Sequence, residues 1–175
     1  YNDNVMQCIV GASDIDEDTL SYSYEWVNVT TSTALGNNAE LSLDSTLASP
    51  MDEIVCTATV NDGSLSSAAQ SASVTMENRT PEITTMTLSE TTIQNDGTIE
   101  CSATATDADD DTVALSYSWK NDTTGDVLST TQLLTLDPSS ARSGDDIHCE
   151  VTVVDAFGAT TSQQQSFVVE NTVPV

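Results

Sequence analysis

The chain repeats itself. Displaced by 93 positions, residues 1–82 align on residues 94–175 without a gap. Cys8 falls on Cys101, Trp26 on Trp119, Cys56 on Cys149, Asp62 on Asp155, and Glu77-Asn78 on Glu170-Asn171. A self-similarity of this kind restricts the fold before any other property is considered, because one supersecondary plan has to serve twice. It divides the 175 residues into a first repeat at 1–78, a second at 79–171, and 172–175 as a linker or the start of a following repeat. The stretch Ile83–Ile93 has no counterpart in the first copy. The expectation is therefore a segment of a longer tandem array, with the opening strand of its first copy missing. The alternative is a two-domain piece of a short protein.

Within each copy the apolar residues alternate with polar ones. Met6, Cys8, Val10 and Ala12 share one parity, as do Leu20, Tyr22, Tyr24 and Trp26, and Ile54, Cys56, Ala58 and Val60. The second copy repeats this at Ile99–Ala105, Val113–Trp119 and Ile147–Val153. A period of two marks strands that bury one face and wet the other. Gly36-Asn37-Asn38, Asn61-Asp62-Gly63, Asn95-Asp96-Gly97 and Thr124-Gly125-Asp126 punctuate the runs as turns. No segment keeps a helical period. The second copy predicts strands near 82–89, 98–106, 113–121, 127–130, 131–137, 146–154 and 159–170. So many short strands in so few residues predict an all-β chain of two antiparallel sandwiches.

Charge excludes several partners. Three basic residues stand against 28 acidic ones, a net charge of −25. Such a surface repels nucleic acid and anionic membranes. No apolar run approaches the ~20 residues of a membrane span. The eight aromatic residues leave few for a carbohydrate platform once Tyr24, Trp26, Tyr117 and Trp119 are assigned to cores.

Each copy also carries Cys, then Trp, then Cys, all on the inward parity. This order resembles the immunoglobulin-like superfamily. The resemblance implies a bridge between strands B and F with the strand C Trp packed on it: Cys8 to Cys56 and Cys101 to Cys149, which matched spacing in both copies supports. The other reading is four buried thiols in a reducing compartment. The chain departs from the antibody type at Ile54 and Ile147, where a tyrosine corner would sit, and in the long acidic loop between the first Cys and the Trp. The run Cys101-Ser-Ala-Thr-Ala-Thr-Asp-Ala-Asp-Asp-Asp-Thr112, followed by Tyr117-Ser-Trp119, is similar to Asp-rich, immunoglobulin-like or cadherin-like repeats of large bacterial and archaeal cell-surface proteins. That resemblance implies a disulfide-bonded, extracellular, cell-surface or secreted segment of a fibre, stalk or adhesin. Its partners would be neighbouring repeats of the same chain, or other copies in a fibre.

The acidic loops place Asp14, Asp16 and Asp18 in one copy and Asp107, Asp109 and Asp111 in the other. Alternate carboxylates on a bent loop can face one point, and hard oxygen ligands suit Ca²⁺. In an immunoglobulin-like sandwich the B–C and F–G loops share a pole, which adds Asp62 and Asp155. The expected calcium ligands of the second copy are Asp107, Asp109, Asp111 and Asp155, completed by Glu77 or Asn78 of the linker. Asp14, Asp16, Asp18 and Asp62 form the weaker first site. Glu17 and Asp110 stand where many calcium loops use Gly. The competing reading is a solvated acidic loop.

Other chemistry is sparse. His148 lies on an outward parity and reads as a surface residue, not a catalyst. Triads, dinucleotide loops and zinc ligand sets are absent from the sequence, so no catalytic residue is expected. The lone Lys120 cannot supply a lysine crosslink to both copies. Asn28, Asn78 and Asn121 begin N-x-Ser/Thr sequons, open to glycosylation or to chance in a Thr-rich chain. Two functions stay open: a structural repeat, and an accessory carbohydrate- or protein-binding module of a secreted protein.

Overall fold

A computed structural model describes residues 1–171, and the tail assigned above to a following repeat or linker lies outside them. The chain is all-β, with no helix among the described residues. It divides into two compact units, Tyr1–Arg79 and a second beginning at Thr80.

The first unit runs β1 (Val5–Gln7), β2 (Ser21–Asn28), β3 (Thr33–Gly36), β4 (Glu40–Ser42), β5 (Glu53–Asn61) and β6 (Gln70–Thr75). One sheet pairs β1 with β4, and the other has the order β3-β2-β5-β6. All pairings are antiparallel. Along β5, Ile54, Cys56, Ala58 and Val60 are buried at every second position, as the alternation requires.

The second unit adds β7 (Glu82–Leu88), β8 (Ile93–Gln94), β9 (Thr98–Thr106), β10 (Ala114–Asn121), β11 (Val127–Ser129), β12 (Leu133–Thr135), β13 (Asp146–Val154) and β14 (Thr160–Glu170). Its sheets are ordered β12-β9-β7 and β11-β10-β13-β14-β8. Seven of these strands lie where alternation predicts them. β8 has only two residues, too few to alternate, and pairs parallel with β14 at Val169 and Glu170. Gly97 is required beside it, because a Cβ there would sit 2.5 Å from Ile93 Cγ1.

A disulfide crosses each sandwich, Cys8–Cys56 in the first and Cys101–Cys149 in the second. Each closes a span of 48 residues, worth about 4 kcal/mol by chain entropy. Beside them Trp26 Nε1 donates to Asn38 O at 2.9 Å, and Trp119 Nε1 to Thr131 O at 3.0 Å. These indoles are buried without leaving the N–H unpaired.

A second device recurs in both copies and is not apparent from the alternation. Asn28 and Asn121 are fully buried. Asn28 Nδ2 donates to Asp52 Oδ2 at 2.7 Å and to Leu47 O at 3.2 Å. Asn121 Nδ2 donates to Asp145 Oδ2 at 2.8 Å and to Ser140 O at 3.4 Å. The pair ties the end of β2 or β10 to the turn that leads into β5 or β13. The Arg142 N–H and the Asn121 amide hold Asp145 below the usual carboxylate range. The amide nitrogen of each Asn is therefore buried and engaged, and a glycan on Asn28 or Asn121 would have to displace these bonds.

His148 also differs from its reading as a surface residue. Its side chain is 12% exposed and Nδ1 lies 2.6 Å from Asp122 Oδ2. The neighbouring acid covers a position that strand parity alone assigns to solvent.

Candidate metal centre

The loop between β9 and β10 brings Asp107, Asp109 and Asp111 together. One carboxylate oxygen from each lies within 4.8 Å of the others. The backbone produces this convergence. Asp109 N donates to Asp107 Oδ1 at 2.7 Å, which folds the loop back on its first residue. Asp110 then takes the left-handed conformation, φ 62°, and turns Asp111 toward the same point. An L-residue in that region costs roughly 1–2 kcal/mol. Glu17 does the same in the first copy, also at φ 62°. The two positions where calcium loops use Gly thus have the backbone of Gly without being Gly.

Burial separates the three carboxylates from water. Asp109 is 2% exposed, and Asp107 and Asp111 are half-buried. Asp107 Oδ2 and Asp111 Oδ2 are buried without a hydrogen-bond partner. Burial, then the charges of Asp107, Asp109, Asp155 and Asp110, raise Asp111 above the ordinary carboxylate value. Three acids held this close, with an unpaired buried oxygen on Asp107 and another on Asp111, form an unfavourable arrangement as they stand. A hard divalent cation would satisfy both oxygens and offset the repulsion.

Asp155, in the turn between β13 and β14, is 6% exposed. Its Oδ1 accepts from Phe157 N and Ala159 N, both at 2.8 Å. It is not part of the convergent trio, although its charge acts on Asp111. Glu77 is exposed and Asn78 half-buried at the end of the first unit.

In the first unit the equivalent loop does not close into a centre. Asp14 Oδ1 accepts from Asp16 N at 2.7 Å and from Asp18 N at 3.4 Å. Asp16 and Asp18 are nevertheless exposed, and among the described residues only the second copy gathers its three acids. Asp62 serves its own turn, accepting from Ser64 N and Leu65 N at 2.7 Å. Those bonds hold it below the ordinary carboxylate value.

The strand order, the sheet-to-sheet disulfide and the Trp packed beside it define each unit as an immunoglobulin-like β-sandwich. Disulfides suit a secreted or surface protein rather than a reducing cytosol. No family model matches the sequence, and no curated protein matches it. Solved structures do. The chain is similar to the PKD1 domain of Vibrio anguillarum Epp, with 21% identity over 54% of this chain and 98% of that one, TM-score 0.37. It is similar to three N-terminal domains of the bacteriophage RB49 highly immunogenic outer capsid protein, with 19% identity over 94% of this chain and 53% of that one, TM-score 0.37. Fibronectin(III)-like modules of Clostridium thermocellum CbhA share 16% identity over 85% of this chain and 77% of theirs, TM-score 0.36.

Proposed function

We propose that the chain is a structural repeat segment of a long extracellular fibre, stalk or adhesin, and that the β9–β10 loop of its second unit binds Ca²⁺. The observation that carries the calcium is the pair of buried, unpartnered oxygens, Asp107 Oδ2 and Asp111 Oδ2, inside a cluster of three carboxylates. In this reading Asp107, Asp109 and Asp111 supply ligands, and Asp155 acts through its charge and by shaping the neighbouring turn. The structural role is supported by the tandem repeat and by the disulfide that locks each sandwich. The function assigned is mechanical, with no catalytic step.

Calorimetric titration of the intact chain with CaCl₂ tests the proposal. Extracellular calcium modules bind at roughly 10⁻⁴–10⁻³ M, and a site of that strength is expected here. Asp109→Ala and Asp111→Asn should each remove the heat and the accompanying thermal shift. Asp16→Ala should leave both in place. A wild-type chain that gives neither heat nor thermal shift at millimolar calcium has only a solvated acidic loop.

A further inference from the structure

The tripeptide Asn-Asp-Gly occurs twice, at 61–63 in the first unit and at 95–97 in the second. These are not equivalent positions of the repeat. The first lies between β5 and β6, the second between β8 and β9. An aspartate followed by glycine is open to attack by the glycine nitrogen on the side-chain carboxyl, because glycine has no Cβ to crowd the ring that forms. The same three residues in two different turns form an internal control.

At Asp62 the carboxylate is committed. Its Oδ1 accepts from Ser64 N and Leu65 N, both at 2.7 Å. The Leu65 and Ser64 N–H groups hold it below the ordinary carboxyl value, so it stays ionised, the form that resists attack. Gly63 N is committed as well, donating to Asn61 Oδ1 at 2.7 Å, while Asn61 Nδ2 reaches Ser66 Oγ at 2.9 Å. Nucleophile and carboxyl are each engaged with a third group. At Asp96 half of this restraint is missing. Asp96 is exposed, and among the described residues no hydrogen bond or ion pair reaches its carboxylate. Gly97 N makes one main-chain bond, to Gln94 O at 3.0 Å.

We propose that Asp96 and Gly97 form a site of spontaneous isomerisation to isoaspartate, and that Asp62 and Gly63 do not. Gly97 N attacks Asp96 Cγ. The N–Cγ bond forms, and the carboxyl hydroxyl leaves with the amide hydrogen as water, giving a cyclic succinimide. Water then adds back and opens one of the two ring N–C bonds. Opening at Cγ restores aspartate. Opening at the main-chain carbonyl carbon leaves isoaspartate, whose backbone runs through Cβ and Cγ. The modification adds a methylene to the backbone of a closely packed turn. A Cβ on Gly97 would already sit 2.5 Å from Ile93 Cγ1, and Gly97 O accepts from Leu136 N at 2.9 Å. Ile93 is a core residue, and β8 is held by only two ladder positions, Val169 and Glu170. Lengthening the turn should draw Ile93 from the core, so the second unit loosens with age and the first does not.

The test incubates the intact chain, folded and in denaturant, in mildly acidic buffer made with water enriched in heavy oxygen. Each succinimide that opens leaves a heavy oxygen at its residue, which peptide mass spectrometry after digestion in ordinary water locates. In denaturant the two tripeptides should label at similar rates. In the folded chain Asp96 should label at least about tenfold faster than Asp62, because two backbone bonds must break before the Asp62 carboxyl can react. The melting temperature of the second unit should fall as label accumulates. Asp96→Glu, whose longer side chain closes the ring far more slowly, should age without that fall. The proposal is overturned if Asp62 labels as fast as Asp96 in the folded chain, if neither labels while the denatured chain does, or if the Glu variant loses stability at the wild-type rate.

Discussion

The two copies share a residue pattern and reach different degrees of closure. Trp26 and Trp119, Ile54 and Ile147, and Cys56 and Cys149 are equally buried. Phe167 is 6% exposed and meets Trp119 edge-on, with ring centroids 6.3 Å apart; its equivalent Val74 is 41% exposed. Ile99 and Cys101 are core, whereas Met6 and Cys8 are half-buried. Alternation is therefore enough to form the two sheets and the disulfide. In the second unit β7 and β8 add Met86 and Ile93 to the core.

The largest effect tests what the copies have in common. Asn121→Ala leaves Asp145 buried with one fewer donor, and should cost about 3 kcal/mol. Asn28→Ala should cost a similar amount in the first unit. Denaturant unfolding of each variant reads this directly, and unequal costs would break the equivalence of the two Asn–Asp pairs. In a glycosylating host the folded protein should show no added mass at Asn28 or Asn121.

The next effect should be lopsided. Phe167→Val is expected to destabilise the second unit by about 2 kcal/mol, through lost burial and a partly unfilled cavity. Val74→Ala removes a side chain that is already wet and should cost no more than about 0.5 kcal/mol. Equal costs would mean that the first sandwich is closed in solution.

A smaller effect concerns the backbone. Ser32 and Met51 have φ of 59° and 68°, where the second copy has Gly125 and Gly144 at 85° and 91°. Met51 is exposed, so packing does not compensate for its strain. Met51→Gly should stabilise the first unit by about 0.5–1 kcal/mol, the left-handed cost relieved less the greater freedom of Gly when unfolded. The reverse change, Gly144→Met, should destabilise the second unit, although a Cβ there meets nothing within 4 Å. Thermal melts of the two variants should shift in opposite directions.

The smallest effect is the pH response of the acidic loop. Asp111 has a raised pKa in the folded state. The folded unit then binds this proton before the unfolded chain does, so in chelator Asp111 adds stability as pH falls from neutral toward the unfolded carboxyl value. Asp145 has the opposite sign. Its lowered pKa gives stability at neutral pH that is lost on acidification through the folded value. Asp111→Asn isolates the first contribution. It should raise the melting temperature of the second unit at neutral pH without metal, and flatten its rise on mild acidification.

Much of this was legible from residue order. Seven strands of the second unit follow its alternation, and the disulfides follow the Cys-Trp-Cys order. β8 was not legible, because two residues cannot show a period and its pairing is set by Val169 far along the chain. The run from Met6 to Ala12 reads as one strand, yet β1 ends at Gln7, with one further backbone bond from Cys8 N to Ala39 O. The Asn–Asp pairs were hidden because Asn28 and Asn121 read as sequons. Their recurrence beside Asp52 and Asp145 in both copies was the available signal. The acidic loops have the same spacing in both repeats, so spacing alone could not show that only one gathers its carboxylates.

Backbone resonances followed through a calcium titration of the intact chain test the central claim most directly. The account predicts that the amides of residues 107–111 shift and saturate at lower calcium than those of residues 14–18. Identical behaviour of the two loops, or no movement in either, would contradict it.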